Sequence, residues 1–211
     1  DDINGMAIYH VYTHVVREMK RLLPGTEIGL HTHNDIGLGT AALYAGLEGG
    51  ADLIDVCVNG LGERAHIAPL AEVASVIQIY YGIDCGIQLD KMVELSRLVS
   101  DITKWPMTDT MPFVGKTSFS HLVEVHYTVP DTEEGFWAYL CMKPETFGNT
   151  SHNLLGHYSG PWAVRAKARE LGITIPEGKE PEVVAGVRSQ IRWRKRQLSN
   201  EEFQKIVEGV S

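Results

Sequence analysis

Within its first 82 residues this chain alternates between helical and strand periodicity, and that alternation confines it to few folds. Residues 8–23 carry Val11, Val15, Met19 and Leu22 at helical spacing, closed by Pro24-Gly25. A short strand from Glu27 to His33 follows. The segment from Gly37 to Gly49 is rich in alanine and glycine, as suits a helix lying close on a sheet. Asp52 to Asn59 then reads as a buried strand, and Leu70, Val73, Ile77 and Tyr81 mark another helix, stopped by Gly82. Strands separated by helices require right-handed crossovers and parallel pairing. Two strands close neither a barrel nor an open sheet, so the pattern predicts an α/β fold completed by strands from elsewhere. The opening Asp1-Asp2-Ile3-Asn4-Gly5-Met6 reads as a strand end and a loop, as expected at an internal point of a longer chain.

From about residue 83 the pattern changes. Met92, Leu95, Val99 and Ile102 mark a helix ending near Trp105-Pro106, followed by an irregular stretch over 106–118. Beyond the segment Phe119 to His126 lie a Pro/Glu/Gly loop and helices near 161–172, 180–196 and 200–208. The expected organisation is therefore residues 1–82 as an α/β portion and residues 83–211 as a linker helix with helical subdomains.

Composition narrows the function. With 27 acidic and 19 basic residues the formal net charge is −8, which disfavours nucleic acid as the main partner. The basic run Arg188 to Arg196 reads as a solvated helix face. No apolar run approaches the about 20 residues of a membrane span. Cys57, Cys85 and Cys141 are widely spaced and odd in number, which fits a reducing, cytoplasmic setting better than a disulfide framework.

Chemistry concentrates where the strands end. In His31-Thr32-His33, two imidazoles at i and i+2 share one face of an extended strand. Such a pair is either a metal-ligand pair or two structural histidines. After the second strand comes Asn59-Gly60-Leu61-Gly62-Glu63-Arg64-Ala65-His66. In a barrel of parallel strands the active site is built at the strand C-termini, so His31, His33, Asn34, Asp35, Glu63, Arg64 and His66 would share one rim. Arg64 suits a substrate carboxylate through paired hydrogen bonds, with Asn34, Asp35 and His66 beside it as substrate contacts. Glu63 suits a general base. The alternative is a Glu–Arg pair that closes a loop.

The order of these motifs resembles the synthase branch of the metal-dependent TIM-barrel lyases and condensing enzymes, which includes the isopropylmalate, homocitrate, citramalate and Re-type citrate synthases. His31-Thr32-His33-Asn34-Asp35 is similar to the end of that family's seventh strand and Asn59-Gly60-Leu61-Gly62-Glu63-Arg64 to its eighth. Phe113-Val114-Gly115 with Phe119 to His126 resembles its "VG … FAHESGIH" segment. Tyr139 before Pro144-Glu145, and Gly156-His157-Tyr158-Ser159-Gly160, resemble two further family stretches.

The resemblance implies the C-terminal part of a TIM (β/α)8 barrel followed by a mostly helical extension. It implies a Claisen-type acyltransferase that condenses acetyl-CoA with a 2-oxo acid, with His31 and His33 ligating a divalent metal (Zn, Mg or Mn). It gives His126 and Tyr139, in the extension, acid–base roles over a barrel mouth, commonly that of a partner subunit. A homodimer, or a second polypeptide supplying the missing strands, is the implied partner. Two departures stand out. His66-Ile67 occupies positions where many relatives have Gly-Asn, and Val123-Glu124 and Tyr127-Thr128-Val129 replace the usual residues around His126. With the missing strands they keep open a non-catalytic or complementing subunit; a carbon–carbon lyase of the hydroxymethylglutaryl-CoA lyase type is a further alternative, disfavoured by the intact Asn59 to Arg64 motif and by the extension after residue 83.

Overall fold

The computed structural model describes residues 1–123, 126 and 133–210. They form two compact units, Asp1–Gly115 and Lys116–Ser211.

The first unit runs α1 (Tyr9–Leu22), β1 (Gly29–Leu30), α2 (Gly39–Gly49), β2 (Leu53–Ile54), α3 (Leu70–Ile79) and α4 (Met92–Thr103), with a 3-10 turn at Val58–Gly60. It is α/β, as the alternation of periods requires. β1 and β2 are parallel, with Gly29 opposite Leu53 and Leu30 opposite Ile54. Isolated bridges extend the contact: Asp2 pairs parallel with Thr32, His33 antiparallel with Ile67, and Cys57 parallel with Pro69. The strands are shorter than the sequence pattern suggests, because ladders need partners and beyond these two residues each strand finds single bridges only.

The core of this unit joins Tyr12 and Val16 of α1, Leu30 of β1, and Ala42, Leu43 and Ala45 of α2. The alanine and glycine content of α2 has a direct reason. A Cβ on Gly46 would stand 1.9 Å from Leu30 Cδ1, and one on Gly49 2.9 Å from Val16 Cβ. Only bare backbone lets this helix approach both the sheet and α1. The expected helix at residues 8–23 is present, but its buried side is not the expected one. Tyr12 and Val16 are buried, whereas Val11, Val15, Met19 and Leu22 are exposed. α1 packs on α2 through Val16 and through Thr13, whose hydroxyl donates to the Ala45 carbonyl. The apolar stripe instead flanks a groove of about 300 Å³ beside β1 and Asp2. A second groove of about 290 Å³ lies along β2, lined by Leu53, Ile54, Val56 and Val73. α4, expected as a linker, belongs to the first unit: its Met92 and Val93 pack with Ala71, Ala74 and Val114.

The second unit contains α5 (Glu133–Tyr139), α6 (Pro161–Leu171), α7 (Glu180–Arg194) and α8 (Asn200–Glu208), with a 3-10 turn at Pro144–Phe147. Val164, Val183, Val187, Phe203 and Val207 form its core. α8 starts with a capping box: Ser199 Oγ accepts from the Glu202 amide while the Glu202 carboxylate accepts from the Ser199 amide. The basic run at 188–196 is held within this unit. Arg188 donates to the Ser159 carbonyl, and Arg194 and Arg196 both pair with Glu202. Among the described residues no helix is long and apolar enough to cross a membrane. All three cysteines are free. Glu124 and Tyr127-Thr128-Val129, singled out above as departures, lie outside the described residues.

Candidate active site

The site begins with chain register. Because Leu30 sits opposite Ile54, the next residues, His31 and Asp55, come side by side at the strand ends. His31 Nδ1 lies 2.7 Å from Asp55 Oδ2. The other ring nitrogen of His31, Nε2, lies 3.3 Å from Nε2 of His33, with ring centroids 5.1 Å apart. His33 is 9% exposed, and its buried Nδ1 has no hydrogen-bond partner among the described residues. The alternation of an extended strand has thus turned both rings to one side.

This geometry fits a metal ion. Imidazole nitrogens ligate at about 2.0–2.1 Å, so two ligands stand about 2.8–3.0 Å apart at a right angle and about 3.3–3.4 Å at a tetrahedral one. A carboxylate on the far nitrogen of a ligating histidine fixes its tautomer and ring plane, which is the position Asp55 takes toward His31. Among the described residues no group of three His, Cys, Asp or Glu converges on one point. Were an ion bound here, these side chains would offer it two nitrogens, with Asp55 orienting the first ring. Asp55 was not singled out in the sequence. The signal was there, since the same count along two registered strands places it beside His31.

The rim residues take up varied positions. Arg64 Nε donates to Asp35 Oδ1 at 2.8 Å and its Nη2 to Oδ2 at 3.1 Å, and Nη2 also donates to the Ile3 carbonyl. Glu63 is well exposed, 3.6 Å from Arg64 Nη1. The hydrogen bond from Arg64 holds the Asp35 carboxyl below the usual carboxylate range and raises the guanidinium in turn. The Asn34 side chain is turned toward α2, where its Oδ1 accepts from the Gly39 amide. His66 directs its ring to Trp105, edge to face at 5.9 Å, with Nδ1 3.3 Å from the Gly62 carbonyl. Asn59, Arg64 and His66 all have positive φ, at 57°, 52° and 74°. Left-handed backbone at residues with a Cβ clusters at functional loops.

Two other groups adjoin the rim. Burial, and then the nearby Asp55 charge, pushes the Cys57 thiol up. Burial acts to raise the Asp2 carboxyl, yet hydrogen bonds from the Tyr12 hydroxyl and nearby amides bring it below its ordinary value.

In the second unit, His126 and Tyr139 meet with ring centroids 4.4 Å apart. His121 stands edge to face with both, at 5.4 and 6.3 Å. Burial, with the charge of His126 second, lowers the His121 pKa, which favours its neutral form. His121 is an addition to the pair expected from the sequence.

Residues 2–99 match the HMGL-like family model, and this part of the chain belongs to that family. Curated relatives point the same way. A homocitrate synthase of Saccharolobus islandicus (strain L.S.2.15 / Lassen #1) is 37% identical over 176 residues, covering 83% of this chain and 38% of the relative. Homocitrate synthases of Saccharolobus solfataricus and Sulfurisphaera tokodaii are 36% and 33% identical, over 82% and 85% of this chain and 37% of each relative. The chain thus spans under two-fifths of the length of these relatives.

Proposed function

We propose that the protein is an acyltransferase that condenses acetyl-CoA with a 2-oxo acid by Claisen-type chemistry, homocitrate formation being the form that its relatives' names favour. The His31–His33 pair, with nitrogens 3.3 Å apart and Asp55 behind the first ring, carries this reading. These imidazoles would hold a divalent metal (Zn, Mg or Mn), which when bound supplies Lewis acidity toward the 2-oxo acid. His126 and Tyr139, whose rings lie 4.4 Å apart between centroids, would take the proton from the acetyl methyl group and give one to the ketone oxygen as the methyl carbon bonds to the ketone carbon; water then releases CoA. Glu63, exposed beside Arg64, is a second candidate base. Arg64 is engaged by Asp35 and would have to release it to take a substrate carboxylate, whereas Asn34 acts on the site by fixing the turn into α2.

On this reading residues 1–82 are the last strands and helices of a TIM barrel, and residues 83–211 its extension. The grooves along both edges of the two-stranded sheet support it, since each offers apolar lining where a further βα unit would pack. Those units come from further residues of the same polypeptide, from a second polypeptide, or across a homodimer. The free thiols suit a cytoplasmic enzyme.

The test is free CoA release by the protein purified from its own cells, with acetyl-CoA, a divalent metal and a panel of 2-oxo acids. Turnover with 2-oxoglutarate above the other acids is expected. Absence of turnover with every acid overturns the proposal. Cleavage of a hydroxyacyl-CoA ester without any 2-oxo acid establishes the lyase alternative instead.

A further inference from the structure

We propose that Arg64 is a positioning residue that staples three strand-end segments around the His31–His33 pair; the inference rests on reading that pair as a metal site. The segments are residues 2–5, residues 33–37 and Arg64's own loop, 60–66. One guanidinium reaches all three, through the Ile3 carbonyl, both Asp35 carboxylate oxygens and its own backbone.

The same segments are registered to the imidazole strand by backbone bonds. The Asp2 amide donates to the His31 carbonyl at 3.1 Å, and the Asn34 amide to the His66 carbonyl at 2.9 Å. Gly5 shows how close the first segment lies. At φ 59° a Cβ there would stand 2.7 Å from the His33 carbonyl oxygen, so only glycine lets residues 2–5 rest on the His33 backbone. Arg64 then fastens that loop from the other side.

Energetics separates positioning from simple stabilisation. An ion pair this exposed contributes little to folding. Arg64 nevertheless adopts φ 52°, a conformation that L residues hold only when their surroundings fix it. The planar fork of arginine suits the task, because it sets two oxygens and a carbonyl at fixed angles where a point charge would set none. The consequence is a definite spacing of the two imidazoles, which shows in metal affinity more than in thermal stability.

The experiment titrates Zn²⁺ alone into the chelator-stripped whole protein by calorimetry, with thermal unfolding and KM for the 2-oxo acid measured alongside. Arg64→Ala and Asp35→Asn should each weaken Zn²⁺ binding about tenfold, with the melting temperature little changed. The double variant should be no weaker than either single one. Arg64→Lys should fall between, since lysine keeps the charge and loses the fork. Unchanged Zn²⁺ affinity with a raised KM in Arg64→Ala overturns the proposal and makes Arg64 a direct substrate clamp. Should Arg64→Ala fail to fold, Asp35→Asn decides by the same two readouts. His31→Ala and His33→Ala are the controls. Zn²⁺ retained in both sinks the metal reading itself, while Zn²⁺ lost in both but held by the Arg64 and Asp35 variants sinks only the staple.

Discussion

Asp55 bears on the candidate site through its neighbour. Its oxygen lies 2.7 Å from His31 Nδ1 while the opposite nitrogen faces His33. Removing such a partner usually weakens metal binding 10- to 100-fold without removing a ligand. Asp55→Ala should therefore lower Zn²⁺ affinity within about that range while leaving far-UV circular dichroism unchanged; wild-type affinity in this variant would make the contact incidental. At this scale the sequence was informative about His31 and His33, because an i, i+2 pair on a strand has one geometric outcome. It was silent on Asp55, Asp2 and Tyr12, whose roles depend on which strands become neighbours. Arg64 and Asp35 could be named from the motifs, but their direct ion pair could not.

Among the elements, α2 and α8 make opposite use of their sequences. α2 is built to come close. Gly46→Ala gains up to about 1 kcal/mol of helix propensity, but its methyl group would meet Leu30 at 1.9 Å. Net destabilisation of about 1–3 kcal/mol is expected from overpacking, measured by denaturant unfolding. α8 is built on charge. The Arg196 side chain, and then the Ser199 amide, hold the Glu202 carboxyl down at about 2. A carboxyl lowered by folding adds stability above its unfolded value of about 4.3, and that stability is lost as pH falls toward 2. Glu202→Gln should lower the plateau of the stability profile above about pH 5 and flatten its acid limb between those limits; an unaltered acid limb would refute the assignment. Helix positions were legible from periodicity, as α1, α3, α6, α7 and α8 show. Which face of α1 is buried was not, because Val11, Val15, Met19 and Leu22 are apolar on the side away from α2.

The whole molecule carries the mark of that exposed stripe. Val15 is 44% exposed and Met19 39%, beside a groove along the edge of β1. If the proposed barrel closes over them, Val15→Asp places a charge in a packed interface. It should destabilise the native full-length protein by about 2–4 kcal/mol, read from its thermal unfolding. A neutral effect would show that α1 faces water and would remove one support for the barrel. The division of the chain after Gly115 was less legible than its helices. α4 looked like a linker, yet Met92 and Val93 complete an apolar cluster with α3 and Val114, a tertiary contact that no local period announces.

The loop from Asn59 to His66 holds three residues with side chains in a backbone region that suits glycine. That tension persists because bonds from outside the loop hold it: the Asn59 side-chain amide donates to the Ser96 carbonyl, the His66 carbonyl accepts from the Asn34 amide, and the Arg64 fork grips Asp35. If heating breaks these few bonds before the helices open, the activity proposed above should fade below the melting temperature.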